Sequence, residues 1–307
     1  MRVCFLLCLL LLSHTVFSAE LYRYQDADGR WVFGDKKSLG SQADGSQMAE
    51  KIIISDARVK ARKPMLFKEH DSTVQQGVRW QWRLTNPLPV TIQHWLLLKE
   101  KKQLLTSVMA KPFEEVILKP SDFSIDDIHQ VIEHVYVLGE LIEKPSMQVI
   151  PPPFLTAKRF RISQGFNGQY SHSGQGNRFA VDLAMAIGES VTAVRSGIIA
   201  DARDDFSIGG AAEYFLDKAN HVTVMHEDGS YAVYAHILYG SLEVEVGDRI
   251  EQGQVLARIG NTGYSTGPHL HFVLRYNSGK GGYSIPFKFE TDNGIQAPVE
   301  GQFIQFN

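Results

Sequence analysis

Gly267-Pro268-His269-Leu270-His271-Phe272 is the stretch from which the rest of the chain is best read. In a strand, side chains alternate faces, so His269 and His271 point the same way with Cα atoms about 6.5–7 Å apart, twice the rise per residue. Two imidazoles can then converge on one small volume. A polar strand face carrying two solvated histidines has the same spacing, and the pair alone does not choose between the two. Working outward, Tyr231-Ala232-Val233-Tyr234-Ala235-His236 also reads as a strand, and its alternation puts Tyr234 and His236 on one face. From Phe160 onward, Gly-punctuated strands follow one another at close spacing with no helical period, which predicts an all-β domain.

A third strand-like segment, Arg178-Phe179-Ala180-Val181-Asp182-Leu183-Ala184, embeds Asp182 among apolar residues. An ionised carboxylate is expensive there unless a cation or hydrogen-bond donors compensate it. A metal ion would meet that need, and so would backbone amides. Tyr234 either supports such a site through its hydroxyl or packs. His221 and His226 flank Val222-Thr223-Val224-Met225 beside the Asp228-Gly229 turn and are read as framework histidines. Gly263 and Gly267 are placed to permit a tight loop beside the His-Leu-His strand.

The N-terminal half carries no comparable concentration of chemistry. Arg2, the apolar run Val3 to Leu12 and Val16-Phe17-Ser18 before Ala19 read as a secretory signal, residues 1–18, too short to span a bilayer comfortably. A retained anchor is the alternative. Both cysteines, Cys4 and Cys8, lie inside this segment, so the mature fold cannot depend on disulfides. Leu21 to Phe33 alternates aromatic and polar residues around Asp28-Gly29, a strong hairpin signal, and resembles a small module that often follows signal peptides in envelope proteins. The unpatterned, Gly/Ser/Asp-rich Lys36 to Ser46 reads as a linker, so residues 19–46 are taken as hairpin plus linker.

Residues 47–150 read as a β-rich middle domain resembling a sandwich, with runs at Ile52-Ile53-Ile54, Val78 to Leu84, Thr91 to Leu98, Phe113 to Leu118 and Val131 to Leu138, and turn signals such as Asn86-Pro87. His70, His94, His129 and His134 are scattered through it without ligand spacing and are read as ordinary core or surface histidines. Pro151-Pro152-Pro153 forces extended backbone and marks the boundary to a C-terminal domain, 151–295, followed by a tail, 296–307. No internal repeat of solenoid length is present.

Composition narrows the function. At 307 residues, with 21% charged and 44% apolar residues, the chain is a folded protein of two modest domains and a small extra element rather than a disordered one. Its 31 Lys+Arg against 34 Asp+Glu, a formal charge of −3, offer no global attraction for nucleic acid.

From Arg161 to Arg275 the sequence resembles the catalytic domain of lysostaphin-type, or LytM-like, peptidases. The resemblance rests on Gly165-Phe166, the Asp182 segment, Gly188-Glu189-Ser190-Val191-Thr192-Ala193 leading to Gly197, and Tyr234-Ala235-His236. It continues through Val246-Gly247-Asp248-Arg249-Ile250-Glu251-Gln252-Gly253-Gln254 and Gly260-Asn261-Thr262-Gly263 to Ser265-Thr266-Gly267-Pro268-His269-Leu270-His271-Phe272. It implies an antiparallel β domain with a groove, a peptidase acting on bacterial peptidoglycan, and one Zn²⁺ per chain held by a histidine, Asp182 and His271. His236 and His269 match the family's non-ligand histidines that assist catalysis. The family places its first histidine four residues before the aspartate, where this chain has Arg178. Upstream, Ser171-His172-Ser173-Gly174 resembles the family's His-x-Gly, separated from Asp182 by an apparent insertion, and His172 is assigned as the first ligand. Asn220, Tyr234 and Arg178 are the remaining residues proposed to support the site.

Two neutral imidazoles and one carboxylate leave zinc a net positive charge and a fourth position, as a catalytic rather than a structural ion requires. The expected protein is exported, periplasmic or envelope-associated, with no membrane span after signal cleavage, and takes peptidoglycan as substrate. An alternative implied by the same resemblance is an inactive regulator that binds and activates other cell-wall hydrolases, toward which Arg178 points. Val246 to Leu256 also looks like half of a lipoyl or biotin carrier, but no lysine sits at a suitable hairpin tip.

Overall fold

A computed structural model describes residues 21–25, 31–35, 50–52, 65–70, 80–98, 103–118 and 132–306. The expected signal segment, the linker Lys36 to Ser46 and His129 lie outside the described residues. Among those described, every regular element is a strand apart from one 3₁₀ turn at Glu213–Phe215. The protein is all-β.

Leu21–Gln25 and Trp31–Asp35 pair antiparallel, Leu21 opposite Asp35 and Gln25 opposite Trp31, as the aromatic alternation predicts. Glu50–Ile52 pairs along the other edge of Leu21–Gln25, so this small sheet takes in residues that the sequence places in the next domain.

The middle region is built from two three-stranded sheets. One holds Met65–His70, Trp80–Thr85 and Glu115–Leu118; the other holds Gln103–Ala110, Ile92–Leu98 and Ile132–Leu138. Trp82 and Leu84 from the first pack with Leu96 from the second, joined by Leu118, Leu105, Val108 and Val116. Alternate residues of each strand therefore share one core, which is the arrangement of a small sandwich. Gln103–Ala110 escapes sequence reading because its pairing with Ile92–Leu98 shifts register between Leu96 and Leu97, which spoils the period-2 pattern. At the Asn86-Pro87 turn, the buried Asn86 amide donates to the carbonyls of Val90, Ala110 and Lys111, and its oxygen accepts from Leu88 N–H. That one side chain satisfies a corner that would otherwise bury unpaired carbonyls.

The C-terminal domain centres on a curled antiparallel sheet in the order Arg249–Ile250, Gly197–Arg203, His221–Met225, Tyr231–Ala235, Leu270–Asn277, Val181–Ala184, Thr156–Gln164 and Phe303–Phe306. The last of these strands occupies what the sequence reads as a tail. One face of the sheet buries Ile162, Leu183, Val222, Tyr234 and Phe272 against Phe154, Phe287 and Phe289. Phe272 and Phe287 meet edge to face with centroids 5.3 Å apart. Because side chains alternate, the opposite face presents His271 and Arg275, Ala235 and Tyr231, His221 and Thr223, and Asp201 to a groove.

The middle region packs against this sheet. Leu88, Val90, Ile92 and Ala110 cluster with Ala200, and Asn277 Nδ2 donates to Gly139 O at 3.0 Å. Tyr136, Val137 and Leu138 consequently form part of the groove wall.

Candidate metal centre and groove

Three elements of separate origin converge on Asp182. Val181–Ala184 pairs with Leu270–Asn277 so that Asp182 lies directly opposite His271, whose Nδ1 is 2.9 Å from Asp182 Oδ1. His172 arrives from the loop between Thr156–Gln164 and Val181–Ala184; its Nε2 is 3.2 Å from the same oxygen and 3.4 Å from His271 Nδ1. The donor atoms of His172, Asp182 and His271 all lie within 4.8 Å of one another. His172 is fully buried, and its Nδ1–H donates to Gly165 O at 2.8 Å, which fixes the tautomer that leaves Nε2 as the free donor atom.

The second carboxylate oxygen is held by a residue that sequence reading missed. Gln164 Nε2 donates to Asp182 Oδ2 at 2.8 Å and to Ser171 Oγ at 2.8 Å, while its Oε1 accepts from Tyr170 N–H at 3.1 Å. Gln164 thus ties the aspartate to the loop that carries His172. The only signal for it is position: it sits directly before Gly165-Phe166, opposite Asp182 in the strand pair.

His236 and His269 complete the cluster, their ring centroids 4.4 Å apart. His236 does not reach the groove by strand alternation. The strand ends at Ala235, and His236 takes φ 68°, a left-handed conformation that places its ring against His269 and His271, whereas Tyr234 points into the core. A non-glycine residue held there costs on the order of 1 kcal/mol and is typical of functional sites. His236 Nδ1–H donates to Thr262 O at 2.6 Å and His269 Nδ1–H to Gly267 O at 2.8 Å, so each ring turns Nε2 away from its carbonyl partner; His269 Nε2 is 3.7 Å from Asp182 Oδ1. Gly263 has φ +76°, and a Cβ there would fall 2.6 Å from Ala219 Cα, so the loop beside Thr262 requires glycine. Gly267 has open space around it.

The electrostatics follow from this packing. Burial opposes ionisation of Asp182, but hydrogen bonds from His172 and His271 and the nearby imidazole charges outweigh it and hold the carboxyl far below its usual range. Burial, with repulsion from His269 and His271, lowers His236 to about 3, so it is neutral at neutral pH. Burial also lowers His271, while at His172 the bond to Asp182 overcomes burial and raises the pKa.

The other sequence-selected residues lie elsewhere. Tyr234 is fully buried, its hydroxyl accepting from Val194 N–H at 2.9 Å. Asn220 braces the loops, donating to Phe206 O and Ile237 O and accepting from Phe206 N–H. Arg178 is exposed, and its carbonyl accepts from Asn167 N–H. His221 lines the groove, its Nε2 2.9 Å from Asp201 Oδ2. His226 is buried and donates through Nδ1 to Ser196 O. In the middle region, His94 and His134 join through Nδ1 and Nε2 at 2.9 Å.

The groove has a volume of about 1450 Å³, beyond the roughly 300–1,000 Å³ of small-molecule pockets, and its rim carries Tyr170 stacked on Tyr264 with centroids 5.7 Å apart. It suits an extended polymer. The donor set fits zinc: two imidazole nitrogens and a carboxylate oxygen converge without cysteine, and His172 and Asp182 are each oriented by a further hydrogen bond.

Fold and donor set together define a β domain of metallopeptidase type. Residues 176–281 match the family described as Peptidase family M23, and this part of the chain is a Peptidase family M23 domain. Asp182, His236, His269 and His271 fall within the match and His172 just before it. Residues 7–62 match Domain of unknown function (DUF4124). The glycyl-glycine endopeptidase ALE-1 of Staphylococcus capitis is 36% identical over 104 residues, 34% of this chain and 26% of that protein. The peptidoglycan DD-endopeptidase ShyA of Vibrio cholerae is 30% identical over 120 residues, 38% of this chain and 25% of that protein. The solved catalytic domain of lysostaphin from Staphylococcus simulans aligns at 28% identity over 46% of this chain and 89% of that chain, with a TM-score of 0.29. The chain spans about a quarter of the length of these two endopeptidases.

Proposed function

We propose that the chain is an exported, zinc-dependent endopeptidase that hydrolyses peptide bonds in peptidoglycan crosslinks or stem peptides. The observation that carries this reading is the convergence of the His172, Asp182 and His271 donor atoms on one point beside His236 and His269. The similarity to a glycyl-glycine endopeptidase and to a peptidoglycan DD-endopeptidase supports the substrate class.

His172, Asp182 and His271 would hold the ion, with Gln164 and Gly165 O orienting two of the three donors. Zinc bound there supplies Lewis acidity to the scissile carbonyl and to a water molecule. His236, neutral and locked by Thr262 O, presents an unprotonated Nε2 that can take a proton. His269, held by Gly267 O, stands on the other side of the same volume and can donate to a developing oxyanion when protonated at Nε2. The groove walls hold the peptide extended across these groups.

The regulator reading takes its motive from Arg178. His172 Nε2 reaching the Asp182 carboxylate disfavours it, because a full donor set is then present without a histidine at 178. The test is to measure zinc per purified chain and to incubate it with isolated sacculi, following newly freed amino groups. About one zinc with release of amines is expected; full zinc loading without release rejects the endopeptidase in favour of the regulator.

A further inference from the structure

Arg275 lies four residues beyond His271 on the groove face of the same strand, roughly 13 Å further along at the rise of an extended chain. It is half-buried in the groove wall. Its Nε donates to Gly176 O at 2.7 Å and its Nη2 to Asn177 Oδ1, both on the loop that carries His172. Those partners are neutral. Among the described residues no carboxylate lies within ion-pair distance of the guanidinium, and Nη1 makes no hydrogen bond.

Elsewhere among the described residues Arg83, Arg195, Arg203 and Arg258 each pair with a carboxylate, on Glu115, Asp228, Asp205 and Glu243. Burying a guanidinium without one is costly, and burial lowers its pKa from the ordinary value. Beside it Tyr231, at the paired strand position, also lines the groove, and its hydroxyl lies against Gly282, where an added Cβ would come within 2.8 Å of it. The loop thus pre-orients the guanidinium through two of its nitrogens and leaves the rest of its fork toward the groove.

We propose that Arg275, with the Tyr231 hydroxyl, forms a subsite for a carboxylate borne on the peptide a few residues from the bond at the metal centre. The planar fork matches a carboxylate, and a charge-assisted pair replaces the missing acidic partner only when substrate is bound. This rests on the endopeptidase reading above and adds to it a preference for acidic over amidated peptide.

The test uses the full chain stripped of zinc, so that nothing is cleaved. The probes are the stem pentapeptide L-Ala-γ-D-Glu-L-Lys-D-Ala-D-Ala with its carboxylates free and the same peptide with them amidated. Calorimetry should give about tenfold tighter binding of the free acid, the value of a hydrogen bond to a charged group. The preference should vanish in Arg275→Gln and be reduced but not abolished in Asn177→Ala, which removes one of the two loop anchors but keeps the guanidinium and its bond to Gly176 O. Equal binding of the two probes, binding of neither, or a preference that survives Arg275→Gln overturns the subsite; so does its complete loss in Asn177→Ala, which assigns Arg275 a loop-holding role alone. Cleavage of sacculi by the zinc-loaded wild type is scored separately: cleavage without acid preference sinks the subsite and leaves the endopeptidase, and acid preference without cleavage does the reverse.

Discussion

Gln164 Nε2 and Asp182 Oδ2 are 2.8 Å apart, one strand position across an antiparallel pair. The same carboxamide binds Ser171 Oγ and the backbone of Tyr170, so the carboxylate and the approach to His172 share one brace. Residues that orient metal donors typically change affinity by about 10–100-fold when removed. Gln164→Ala should therefore bind zinc about tenfold or more weakly in a chelator competition, with the fold intact by circular dichroism. Unchanged affinity would show that Asp182 is held without it.

On the proposed mechanism the five clustered side chains divide into metal donors and proton carriers, and metal content tests that division. His172→Ala should lose zinc, whereas His269→Ala should keep about one per chain and lose about 10²–10⁴-fold in hydrolysis, the range for acid-base groups. Retention of zinc by His172→Ala would mean that the loop donor is another residue.

Gly263 couples backbone geometry to His236. Its positive φ and its contact with Ala219 leave no space for a side chain, and the preceding Thr262 supplies the carbonyl that fixes His236. Gly263→Val should destabilise the chain by more than about 1 kcal/mol and, in whatever folds, reduce turnover while sparing zinc. Wild-type turnover in the variant would rule out this coupling.

The divided legibility of the sequence has physical causes. Asp182, His269 and His271 are legible because they sit on or beside strands where period-2 spacing fixes direction. His172 is legible only by resemblance, since a ten-residue separation inside a Gly-rich loop has no period. Tyr234 and His236 were expected on one face; the left-handed backbone at His236 breaks the alternation, and nothing in a histidine's identity announces that φ. Gln164 carries no chemical signature at all, and its role exists only through pairing with Asp182. In the middle region the apolar runs were visible, but His94 and His134 are 40 residues apart and meet only because Ile92–Leu98 pairs with Ile132–Leu138.

That histidine pair should make the middle region acid-sensitive. His94 is fully buried between its strand neighbours Val108 and Tyr136, stacks on His134 at 5.1 Å, and leaves Nε2 without a partner. Burial first and His134 second lower it to about 4, and burial lowers His134 as well. The folded state thus favours the neutral rings, while the unfolded chain titrates near 6.5. Stability from this source is complete above pH 6.5 and is lost as pH falls from 6.5 toward 4, by up to about 3 kcal/mol for His94 at 1.36 kcal/mol per pH unit. Melting curves at pH 7.5 and 5.0 should show a drop in the wild type that is smaller in His94→Phe, which removes both the proton site and the unpaired nitrogen. Parallel drops in the two proteins would assign the acid sensitivity to other groups, the buried His226 first among them.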